Sequence, residues 1–134
     1  MSPTLSFQLF PSTRAPSVAR AHVREFLAAN CATNGDASDL QFTSLLLTSE
    51  LVTHAMDHGG QDAGDMVLAL DLAAHTLRAE LSLDDVALPI DVAPSGDRQI
   101  VCGLAIIDSL ARRWGGDHTG RGTYLWFELD AGWP

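Results

Sequence analysis

The chain has 134 residues, of which 46% are hydrophobic and 19% charged, a globular balance that excludes a disordered chain. No run of eighteen apolar residues is present, which excludes a membrane-spanning helix. The formal charge is −9 and all eight basic residues are arginine, so the summed field repels nucleic acid, and any phosphate chemistry must use arginine, backbone N–H groups or a metal ion.

One domain is expected over residues 1–134, long enough to bury about two-thirds of its unfolded surface in one core. Met1-Ser2-Pro3-Thr4 has no basic stretch leading into an apolar one, so a cytoplasmic protein is expected. Cys31 and Cys102 lack metal-type spacing and read as reduced thiols, two small buried hydrophobes.

Residues 5–10 alternate apolar and polar with period two, a short strand that Pro11 ends. Ser17 caps a first helix over 18–30, with Ala19, Val23, Phe26, Leu27 and Asn30 on one stripe and Arg20, His22 and Arg24 pointing elsewhere. Asn34-Gly35-Asp36-Ala37-Ser38 is a turn, and Ser38 or Asp39 caps a second helix that Gly59-Gly60 stops. Phe42, Leu45, Leu46, Ser49, Val52, Ala55 and Met56 form its inward stripe. Glu50, His54 and His58 fall at i, i+4 and i+8 and stack along one face, with Thr53 and Asp57 beside them.

Two strands over 66–72 and 77–83 read as a hairpin, the second with Leu77, Ala79, Leu81 and Leu83 on its buried face. Asp84-Asp85 closes it, and a proline-containing loop follows over 86–98. A third helix is expected from about Gln99 through Trp114, with Leu104, Ile107, Leu110 and Ala111 inward and Gly115-Gly116 as its end. The turn Thr119-Gly120-Arg121-Gly122-Thr123 leads into a last strand over 124–129. The order β-α-α-β-β-loop-α-β predicts a mixed or antiparallel sheet with helices on one face.

Ser49-Glu50-Leu51-Val52-Thr53 with Ala55 on a helix, a strand ending in Asp84, a long loop, Gly103-Leu104 opening a helix and Gly120-Arg121-Gly122-Thr123 before a strand together resemble the Bergerat (GHKL) ATP-binding fold. Within it the chain is similar to the small anti-sigma-factor serine kinases of bacteria, especially actinobacterial ones. The resemblance covers nearly the whole chain. It implies an α/β (α+β) two-layer sandwich of the histidine-kinase-like ATPase type, a mixed, mostly antiparallel sheet with helices on one face.

It also implies ATP and Mg²⁺ as cofactors, transfer of the γ-phosphoryl group to a serine of an antagonist protein, and a sigma factor or a STAS-type anti-anti-sigma antagonist as partner. Neither nucleic acid nor membrane is expected as a partner. A homodimer is implied too, with the first helix and its neighbouring strand as the place to look.

Carried over residue by residue, the resemblance makes Glu50 the catalytic base that orients the attacking hydroxyl. The family's Mg²⁺-binding asparagine is replaced by His54, so Glu50 and His54 stand as the metal pair, followed by Asp57 and the matching His58-Gly59 helix end. Mg²⁺ takes hard oxygen ligands, whereas imidazole suits zinc and other transition ions. Asp84 is the adenine acceptor, but Asp85, Val86, Ala87 and Leu88 follow it where the family has glycines. Gln99-Ile100-Val101-Cys102-Gly103 retains only Gly103 of the phosphate turn, with Leu104 next to it. Gly120, Gly122 and Thr123 keep the last motif whole.

The expectation is therefore a regulatory protein of the anti-sigma-factor kinase type that acts by binding a protein, with a weakened or lost ATP site. One alternative is an interaction module, a pseudokinase with a closed pocket; another is a metal-responsive protein using Glu50, His54 and His58. The aromatics Trp114, Trp126, Phe127 and Trp133 read as core and sheet packing.

Overall fold

The computed structural model describes residues 2–31, 35–59, 65–84 and 104–131, the side chains of 35–38, 58 and 59 excepted. Its elements run β1 (Thr4–Leu9), α1 (Ala15–Asn30), α2 (Gly35–Gly59), β2 (Met66–Ala73), β3 (Thr76–Asp84), α3 (Leu104–Leu110), β4 (Arg113–His118) and β5 (Gly122–Asp130). The five strands form one sheet in the order β1-β2-β3-β5-β4, every neighbouring pair antiparallel. The sheet is thus antiparallel throughout the described strands rather than mixed.

Alternation decides which face of each strand is covered. Leu68, Leu81 and Leu125 lie side by side across β2, β3 and β5, as do Leu70, Ala79 and Phe127, and all six are essentially inaccessible. Helix α2 packs over this face against β3 and β5, with α1 and α3 beside it. The intervening residues Asp71, Arg78, Glu80, Tyr124 and Trp126 belong to the other face and stay partly exposed.

The first helix begins three residues earlier than expected. Arg14 occupies the cap position without a side-chain cap, Pro16 sits in the first turn, and Ser17 Oγ donates to the Arg14 carbonyl at 2.9 Å. Its stripe is as expected: Ala19, Val23, Phe26 and Leu27 are buried.

Helix α2 buries a different arc from the one the spacing suggested. Leu40, Ser44, Leu47, Thr48, Leu51, Val52, His54 and Ala55 are buried, whereas Phe42 is 71% exposed. Phe42 stands about 200° around the helix from Leu40 at 100° per residue, so the two cannot share a buried face.

The largest departure from expectation is after Leu110. The described part of the third helix ends there, and Arg113–His118 is an edge strand, not a helix terminus. Trp114 sits opposite Phe127 on the helix-facing side, where its Nε1–H donates to Asp108 Oδ1 of α3 at 2.8 Å. Gly115 pairs with Trp126, and a β-carbon on it would lie 3.1 Å from the indole Cζ2. The two glycines are strand residues because the Trp126 ring fills the space beside one of them, and no helix has to be stopped.

The β2–β3 turn is carried by Ala74 and His75, both with positive φ (52° and 66°). That is the type I′ signature, normally served by Asn-Gly. Among the described residues no helix is long and apolar enough to cross a membrane.

Candidate functional site

Of the residues singled out by sequence, those on the strands lie at one end of the sheet. Antiparallel pairing sets Met66 beside Leu83 and Leu83 beside Thr123, while the next step outward sets Asp84 against Gly122. Helix α2 ends at Gly59, seven residues before β2 begins at Met66. Glu50 and His54 lie in its last turns, with Asp57 exposed beyond them.

The members of this group differ sharply in accessibility. Glu50 is half-buried, Asp57 is exposed, and His54 is 1% exposed with its imidazole engaged within the structure. At 100° per residue His54 stands 40° from Leu47-Leu51 register and toward Glu50, on the flank of the buried arc. Across the helix, Arg20 of α1 donates a guanidinium hydrogen bond to Ser49 Oγ, the residue next to Glu50. Sequence placed Arg20 away from the α1 stripe but carried no signal for this bond, which joins residues 29 apart.

Thr123 is 3% exposed on the helix-facing side of β5, and Leu104, the first residue of α3, is fully buried in the core. Leu104 therefore acts as packing between α3 and the rest of the core. Gly120 and Gly122 belong to the β4–β5 hairpin: Thr119 N–H donates to the Gly122 carbonyl at 2.7 Å, and Thr119 Oγ1 accepts from the N–H groups of Arg121 and Gly122 at 3.1 Å each. Three amides of this turn, those of Thr119, Arg121 and Gly122, are thus already bonded inside it.

Asp84 is exposed and shares the parity of Arg78, Glu80 and Ser82, the set on the uncovered face. The His58 side chain, Gly103, and the segments 85–88 and 99–102 lie outside the described residues. Among the described residues no three histidine, cysteine, aspartate or glutamate side chains group as a metal site.

The donor chemistry can be weighed against Mg²⁺. The position that would present an amide oxygen is an imidazole, a nitrogen donor, and it is sealed in the helix layer. That does not fit a hard cation demanding octahedral oxygen ligands. No phosphoryl-transfer step is assigned to these residues.

An α-helical layer on an antiparallel sheet, with a half-buried acid and a buried imidazole on the central helix, defines a two-layer α+β domain. No family model matches the chain, and no curated protein matches it. Among solved structures, the crystal structure of the RsbU and RsbW domains of Rv1364c from Mycobacterium tuberculosis is similar, with a TM-score of 0.64 and 25% identity over 95% of this chain. The chain spans 32% of the length of that protein's chain. The fold is thereby established as α+β of the RsbW type.

Proposed function

We propose that the chain is a regulator of the anti-sigma-factor kinase type that works by binding a protein, either a sigma factor or a STAS-type antagonist of the same circuit. The observation that carries this reading is the likeness over 95% of the chain to a structure containing an RsbW domain, a GHKL anti-sigma-factor kinase domain. The order of Glu50, Thr123 and the glycine hairpin along the chain supports it. Nucleotide binding is secondary in this reading, because His54 replaces the metal-binding amide and is buried.

Asp57 is exposed and Glu50 half-buried on the flank of α2, so the acidic edge is available to a partner whether or not a nucleotide is present. The test is direct binding of the purified protein to each sigma factor and each STAS-domain protein of its own genome, with and without MgATP. Micromolar or tighter capture of at least one, independent of MgATP, is expected; capture of none would overturn the proposal.

A further inference from the structure

No further inference is drawn: the strongest candidate, the outer edge of the sheet along β1 and α1 where Phe10 and Val18 are exposed, restates the homodimer that the family resemblance already implies for the first helix and its neighbouring strand, and nothing in the structure shows what else covers it.

Discussion

The Arg78 guanidinium lies 4.2 Å from the centroid of the Trp126 ring, and from there donates to Glu128 at 3.1 Å and to Glu80 at 3.2 Å. Arg113 bonds the other oxygen of Glu128 from the neighbouring edge strand. This explains how a carboxylate on the sheet face without helices is only 8% exposed. Its two oxygens are shared between guanidinium groups, and the indole supports one of them.

Arg78→Ala removes the cover of Trp126 and half of the Glu128 pairing. Because the Arg78 side chain is one-third exposed, the expected loss is modest, about 1–2 kcal/mol in urea denaturation. Arg78→Lys keeps the charge but loses the planar fork and should recover less than half of it. A loss unchanged by high salt would show that packing on Trp126, not charge, is the larger part.

Gly115 and Gly120 respond oppositely to a side chain. Three Trp126 ring atoms lie 3.1–3.2 Å from where the Gly115 β-carbon would stand, and the ring is held by Arg78, so Gly115→Val should cost about 1–3 kcal/mol and shift tryptophan fluorescence. Nothing lies within 4 Å of the same point on Gly120. Gly120→Ala should therefore stay within about 0.5 kcal/mol of the parent.

At the β2–β3 turn, Ala74 and His75 hold the left-handed conformation that costs an ordinary residue about 1–2 kcal/mol. Changing the pair to Asn-Gly keeps the carbonyl of residue 75 that accepts from Ala131 N–H at 2.7 Å. The double variant should melt several degrees higher, since about 1 kcal/mol corresponds to a few degrees in a domain of this size. An unchanged or lower melting temperature would show that the His75 side chain contributes as much as the strain removes.

The sheet core was legible because period two survives in β3, where Leu77, Ala79, Leu81 and Leu83 are buried as the alternation requires. The α1 stripe was legible for the same kind of reason. Residues 113–118 were not: Trp114 continues the apolar spacing of α3, and Gly115-Gly116 imitates a helix stop. Their strand character is fixed by Phe127 and Trp126, partners supplied by a strand later in the chain. The buried arc of α2 was missed because Phe42 was counted inward while the polar residues Ser44, Thr48 and His54 fill positions inside. At the candidate site, the chain order of the motif residues was readable from sequence, but the placing of Asp84 on the uncovered face required following the strand register to its end.

Cys31 is half-buried, and burial raises its thiol above the ordinary value. Folding therefore favours the protonated thiol. The stability this contributes is complete below the unfolded-state value and is lost as pH rises from there through the folded-state value. In a Cys102→Ser background, alkylation of Cys31 at pH 8 should be slower in the folded protein than in urea, and Cys31→Ser should flatten the fall in stability on the alkaline side. Equal alkylation rates in the two states would contradict both expectations.

His54→Asn replaces a 1% exposed, engaged imidazole with a smaller amide, so a stability loss of about 1–3 kcal/mol is expected. The same change supplies the neutral oxygen that Mg²⁺ prefers. If the α2 end of the sheet still admits a nucleotide, calorimetric titration with MgATP should tighten at least about tenfold in the variant, and chelating the metal should erase the gain. In that variant Asp84→Asn, exposed on the uncovered face of the sheet, should leave binding unchanged. No gain in His54→Asn, with protein capture intact, would sink the residual-pocket reading and leave the fold serving as an interaction surface alone.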